Sequence, residues 1–252
     1  MAVDINGGAL VDVIFGSNRA DNIRAGAGAD TINITDAAGA VVRDRLVVSS
    51  VTEFGDVVTG FKANSSASDL TGDRLLFSRD LLGLATGAAQ FNSTNTLEAA
   101  PSGGLLGTGL LAGTPLGGVT ESLGTLFGGG NTNNSPPADT RIHQNLGASS
   151  KIDADDVIGT VTNAGRAGLG LTATDLEGDL TRLLSVVNTQ LKSDTSKDRV
   201  MIFFSNDVDT IAYQFQKTGT GLYSIVGGQA VVKLLGVADA AGFDQFDFEL
   251  LG

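Results

Sequence analysis

The chain has 252 residues, no Cys, one His, no Trp, 35 Gly and a formal net charge of −12. Without Cys there can be no disulfide, no Cys–zinc site and no thiol chemistry. The acidic balance argues against nucleic acid and against anionic membrane surfaces as partners. The length is enough for one large or two modest domains with real cores, and a Gly-, Asn-, Thr- and Asp-rich, aromatic-poor composition points to a mainly β fold with many turns.

The opening residues Met1-Ala2-Val3-Asp4-Ile5-Asn6 carry neither the basic nor the apolar region of a cleaved signal peptide, and no membrane insertion is expected. Gly7–Asn33 then reads as three units of nine residues. They are Gly7-Gly8-Ala9-Leu10-Val11-Asp12-Val13-Ile14-Phe15, Gly16-Ser17-Asn18-Arg19-Ala20-Asp21-Asn22-Ile23-Arg24 and Ala25-Gly26-Ala27-Gly28-Ala29-Asp30-Thr31-Ile32-Asn33. Each unit opens on small or turn-forming residues, with Asp sixth and Ile eighth. The first six residues suit a tight turn, which Gly eases by tolerating positive φ. The last three suit a short strand whose Ile points into a thin core. A plainer reading takes Gly, Asn and Asp as turn markers of an ordinary β domain.

Three units in phase resemble the nonapeptide repeat of RTX calcium-binding β-rolls. Leu10 and the single Gly of the second unit depart from that pattern. The resemblance implies Ca²⁺ as the cofactor, held by Asp carboxylates and turn carbonyls, with Gly8, Gly26 and Gly28 shaping the turns. It also implies that turns two units apart stack on one edge, so Asp12 and Asp30 share an ion. Asp21 falls on the opposite edge. Its counterparts eighteen residues away would be Val3 and Gly39, neither a ligand side chain, so one well-formed site and at most one incomplete one are expected.

Val41–Val48 and Asp56–Phe61 read as strands. Gly55-Asp56-Val57-Val58-Thr59-Gly60-Phe61-Lys62, followed by Gly72-Asp73-Arg74-Leu75-Leu76-Phe77-Ser78, resembles the segment that closes RTX rolls; the alternative is a hairpin with a polar tip at Ala63–Leu70. Asp56, Asp69 and Asp73 are further candidate calcium ligands or, more simply, turn residues. Gly83–Asp139 is nearly uncharged and rich in Gly, Leu, Asn and Thr. It suits either an irregular insertion packed on its own subunit or an apolar arm that orders against a neighbour. Gly103-Gly104-Leu105-Leu106-Gly107-Thr108-Gly109 lacks the Lys-Ser/Thr ending of a phosphate loop. Asp153, Asp155 and Asp156 lack the Gly and Glu of an EF-hand and read as a solvated turn.

Thr174–Lys192 has the 3.6-residue apolar period of one helix, with Thr174 and Glu177 as its capping box. From Arg199 onward, four β-rich runs separated by turn residues predict an antiparallel meander. Asp209-Thr210-Ile211-Ala212-Tyr213, Val231-Val232-Lys233-Leu234-Leu235-Gly236-Val237 and the acidic, aromatic tail Phe243–Leu251 are similar to the C-terminal module of type I secreted RTX proteins. The resemblance makes that tail the secretion signal; otherwise it is a last edge strand.

The expected organisation is thus a β-roll with closing strands over 1–82, an insertion over 83–139 and an α+β module over 140–252. With His143 alone, no His-based zinc site or Ser-His-Asp triad is expected, and only six residues precede the repeats, so no enzyme is expected. The reading that follows is an extracellular or cell-surface calcium-binding structural protein. Type I secretion machinery would export it, and it would form a homo-oligomer or polymer such as a surface layer, filament or biofilm matrix. A small secreted binding protein or adhesin is the alternative, and the end of a longer secreted enzyme a third.

Overall fold

In a computed structural model that describes residues 3–38, 42–63, 72–85, 88, 91, 140–148, 150–154, 156–193 and 196–251, the protein is mainly β. Asp69, Asp155 and nearly all of the Gly/Leu-rich segment expected at 83–139 lie outside the described residues. The first half of the chain alternates between two sheets. β1 (Val3–Asn6), β3 (Asp21–Arg24), β5 (Arg45–Val48) and β7 (Arg74–Phe77) pair in parallel in one. β2 (Val13–Phe15), β4 (Thr31–Asn33) and β6 (Asp56–Thr59) pair in parallel in the other. Successive strands therefore lie on opposite sheets. β6 and β7 are not paired, which rules out the hairpin between them, and the strand expected over Val41–Val48 begins only at Arg45.

The register explains the core. Ile14, Ile32 and Val58 stand side by side on one sheet. Ile5, Ile23, Leu46 and Leu75 do so on the other. Ile14, Ile23 and Ile32, the eighth residues of their nonapeptides, are all buried. A strand's side chains alternate between faces, so one aliphatic residue per short strand suffices to fill a narrow interior.

The second half extends both sheets. β8 (Arg141–His143), β9 (Asp156–Val161) and β10 (Arg199–Ser205) run in parallel, and β10 pairs antiparallel with β11 (Thr210–Lys217). β12 (Tyr223–Ile225) and β13 (Val232–Leu235) both pair with β11, at its two ends. A tight turn at Val226–Gly228 separates them, with Gly227 and Gly228 at positive φ. All four expected strands form, but β12 and β13 both pair with β11 and not with each other, so they do not make the expected meander of successive neighbours. β13 also lies parallel to β6, and β14 (Phe248–Leu250) lies parallel to β7. Residues near the C-terminus thus complete both sheets of the N-terminal half, and Leu234 and Phe248 continue its two aliphatic rows.

The helical region differs from the single helix expected. It comprises α1 (Asn163–Gly168), α2 (Asp175–Gly178), α3 (Leu180–Val186) and a π-helical turn at Val187–Leu191. Gly178 and the non-helical Asp179 (φ −132, ψ 73) divide α2 from α3, and the Asp179 carboxylate restarts the helix by accepting the Arg182 N–H at 2.9 Å. Thr174 makes no capping bond. The reciprocal pair is two residues earlier: Thr172 N–H donates to Asp175 and Asp175 N–H to Thr172 Oγ1. Glu177 binds Lys233 and Asn206 instead. Leu176, Leu183, Val187 and Leu191 are fully buried against β10 and β11, so the apolar stripe is core.

Asp156 does not lie in a solvated turn. It is fully buried, and its Oδ2 accepts from His143 Nδ1 at 2.9 Å, while Arg141 Nε lies 3.3 Å from its other oxygen. The lone His is thus part of a buried ionic cluster on β8 and β9. A separate aromatic cluster joins the halves: the Phe243 ring packs at a tilt against Phe61 (centroids 6.0 Å apart), Phe203 (5.4 Å) and Phe248 (5.7 Å). Phe243→Ala should lower unfolding stability by about 3–5 kcal/mol through the cavity it leaves, measured by chemical denaturation.

Candidate metal centre

Six turns share one local signature, an Asp followed by any residue and then a buried aliphatic. They are Asp12-Val13-Ile14, Asp21-Asn22-Ile23, Asp30-Thr31-Ile32, Asp44-Arg45-Leu46, Asp56-Val57-Val58 and Asp73-Arg74-Leu75. Because the aliphatic residue points inward, each Asp is fixed at the edge where its turn meets its strand. Parallel pairing then stacks the six into two ladders.

On the first edge, Asp12 N–H donates to Asp30 Oδ1 at 2.8 Å and Asp30 N–H donates to Asp56 Oδ1 at 2.9 Å. On the second, Asp21 N–H donates to Asp44 Oδ1 and Asp44 N–H to Asp73 Oδ1, both at 2.9 Å. The outer carboxylates also fold back on their own turns. Gly8 N–H donates to Asp12 Oδ2 at 2.7 Å, and the Ser17 N–H and hydroxyl donate to Asp21. Glu53 is held in the same way by the N–H and hydroxyl of Ser49.

The structure therefore brings Asp12 and Asp30 onto one edge, as expected, and adds Asp56 to them. It places Asp21 on the other edge, also as expected, but gives it a carboxylate neighbour. Asp44, 23 residues on, takes the position that an eighteen-residue spacing would assign to Gly39. Asp73 belongs to that second ladder, apart from Asp56. Gly8 and Gly26 meet in the stacked turns of the first edge. Gly26 has φ +98, and a Cβ there would lie 2.0 Å from the Gly8 carbonyl oxygen, so only Gly fits. The Gly8 carbonyl accepts Ala27 N–H at 3.0 Å, and Gly28 (φ +136) packs on Leu10.

The electrostatics of the ladders are unusual. Asp21, Asp30, Asp44, Asp56 and Asp73 are all nearly or wholly inaccessible to water. Asp30 Oδ2 and Asp44 Oδ2 are buried with no hydrogen-bond partner. A buried carboxylate oxygen without a partner is costly, on the order of several kcal/mol when charged. Burial accordingly pushes the carboxyl of Asp44 up to about 6 and those of Asp56 and Asp73 up to about 7. A hard divalent cation, which takes oxygen ligands, would relieve that cost. The residues fit Ca²⁺ in this respect: in Asp30 and Asp44, the middle members of the two ladders, one oxygen holds the ladder and the other is without a partner. Among the described residues, however, no three Asp, Glu or His side chains converge to hold an ion. Turn carbonyls and water would have to supply the remaining ligands. Compared with known proteins, the chain matches no family model, no curated protein and no solved structure.

Asp44 escaped the reading of the repeats because it lies outside the nine-residue period; the Asp-x-aliphatic signature at Asp44-Arg45-Leu46 would have revealed it. The raised carboxyls give a pH dependence for the metal-free protein. An acid whose folded value lies above its unfolded one holds its proton more firmly when folded. The resulting stability is complete below the unfolded value and is lost as pH rises through the folded one. In chelator, the protein should therefore melt at a higher temperature at pH 5 than at pH 8, with the fall starting above the ordinary carboxylate value of 3.8 and levelling off once pH passes the raised values of about 6 to 7. Calorimetry across that range would check it, and a melting temperature that rises instead would contradict the burial assigned to these groups.

Proposed function

We propose that the chain is an extracellular calcium-binding structural protein of RTX type. Its paired sheets act as a β-roll that folds around Ca²⁺ after type I secretion, and the folded subunits then assemble into a surface layer, filament or matrix. The observation that carries this reading is the first ladder. Asp12, Asp30 and Asp56 are stacked at one edge, Asp30 Oδ2 has no partner, and no Lys or Arg is paired with any of the three among the described residues. The charges acting most strongly on Asp56 are those of Asp30 and Glu53, both negative. Such an edge is self-repelling until a cation arrives, and free energy of metal binding then becomes free energy of folding. Ca²⁺ would supply the positive charge; the chain supplies the carboxylates, the close-packed Gly8 and Gly26 turns and the hydrogen bonds that orient one oxygen of each Asp.

Support for assembly comes from the first strands. Leu10, Val11, Val13 and Phe15 are each at least 66% exposed on the turn and strand that begin the second sheet, next to the edge of β2 that pairs with no other strand among the described residues. An apolar edge strand with unpaired backbone groups favours addition of another chain, and a second subunit would cover both features.

Two measurements test the reading. Asp12→Ala combined with Asp30→Ala should weaken calcium-dependent folding, followed by circular dichroism, more than Asp21→Ala does; equal effects would overturn the pairing of turns. Light scattering should show growth to large particles in about millimolar Ca²⁺ and their dissolution on adding chelator. A monomer that persists in Ca²⁺ would instead favour a small secreted binding protein.

A further inference from the structure

The two ladders carry similar carboxylates but differ in what surrounds them. On the first edge, the charges that act on Asp56 are those of Asp30 and Glu53, both negative. The second has Lys62. Its Nζ lies 3.0 Å from Asp36 Oδ2, in an ion pair whose Asp side chain is 1% exposed. Lys62 is also fixed by its backbone: its N–H donates to Asp73 Oδ2 at 2.8 Å, and its carbonyl accepts Asp73 N–H at 2.7 Å. The preceding Phe61 is buried in the core. The residue is therefore clamped to the last carboxylate of the ladder, while its side chain reaches back to the loop that carries Asp36.

The space between holds unused acceptors. Asp36 Oδ1 and Asp44 Oδ2 are both buried without a hydrogen-bond partner. The ammonium acts on this group as a whole. It draws down the carboxyls of Asp44 and Asp73, while Asp36 pushes that of Asp44 up. A lysine ammonium is a compact point charge, and here it pairs with Asp36 and acts through its field on Asp44 and Asp73, which belong to two other turns.

We infer that Lys62 is a built-in counterion that takes the place of a metal ion on the Asp21–Asp44–Asp73 edge, so that this edge holds together without calcium, and that removing its charge opens a cation site bounded by Asp36 and Asp44. The inference rests on the reading of the first ladder as a calcium edge only for the contrast between edges; the latent site on the second edge stands on its own residues. The Lys62 side chain is 44% exposed, so the space it would vacate is open to solvent and to a hydrated cation.

The test compares Lys62→Gln with the unaltered protein by calorimetric titration with CaCl₂ and by melting in chelator and in Ca²⁺. The variant should melt below the unaltered protein in chelator, bind an additional ion and gain more in melting temperature from Ca²⁺. Lys62→Arg, which keeps the charge, should gain no ion. If Lys62→Gln binds no more Ca²⁺ than the unaltered protein, or fails to fold even in Ca²⁺, the lysine is not replaceable by a cation and the inference falls. Failure of the first edge reads out separately, as absence of calcium binding by the unaltered protein. A gain by Lys62→Gln would still be decisive in that case.

Discussion

The structure depends on one repeated interaction, a carboxylate that accepts the backbone N–H of the Asp in the adjoining turn. It orders the turns because it leaves no freedom in register. Once Asp30 holds Asp12 and Asp56 holds Asp30, the strands that follow start in step, and the aliphatic residue two positions on falls into line with its neighbours. The same interaction sets up the electrostatic problem. It requires carboxylates to stack at turn edges, and stacking buries them beside one another. A fold built this way must bring positive charge to its edges or keep protons there. The two edges meet that requirement differently, one with a lysine from its own chain and one with nothing from the described residues.

The roll-like half would be short by itself, and a few strands with a thin interior bury little apolar surface. Strands from far along the chain solve this. β13 and β14 bring Leu234 and Phe248 to the ends of the two aliphatic rows, and Phe243 and Phe203 close the space between the sheets. Residues 1–82 and 140–252 thus share one hydrophobic core, while a second core lies between the helical region and the other face of β10 and β11. Such long-range parallel pairing has a high loop-closure cost and folds slowly. Ordering the first edge early, by whatever neutralises it, shortens the search that β13 must make for β6.

What was legible in the sequence was periodic. The three nonapeptides place Ile14, Ile23 and Ile32 inward and set Asp12 and Asp30 eighteen residues apart, and both follow from a constant turn length. Legibility ended where turn length changed. The next spacings within the ladders are 23, 26 and 29 residues, so Asp44 was invisible to a period of nine although its local signature is unchanged. The apolar period over Thr174–Lys192 marked the buried face correctly but not the break, because Gly178 and Asp179 change the backbone without disturbing the spacing of Leu176 and Leu183. Asp156 looked like part of an acidic turn; only the strand pairing of β8 with β9 brings Arg141 and His143 to it. Lys62 was equally unreadable, since its partner Asp36 is 26 residues away in another turn.

The difference between the edges also has a consequence for the order of events in folding. An ammonium carried by the chain is present at a fixed effective concentration from the moment its turn forms, whereas a dissolved ion acts only above its dissociation constant. On the reading proposed here, the Lys62 edge would form wherever the chain is, and the Asp12–Asp30–Asp56 edge only where cation is abundant. Asp30 and Asp44 immediately precede consecutive strands on opposite sheets, so ordering one edge restricts the turn that leads to the other. An internally neutralised edge thereby leaves a partly built scaffold with a single remaining electrostatic obstacle. On that proposal, an external ion would control completion of the fold through three carboxylates, while most of the aliphatic core it completes lies elsewhere.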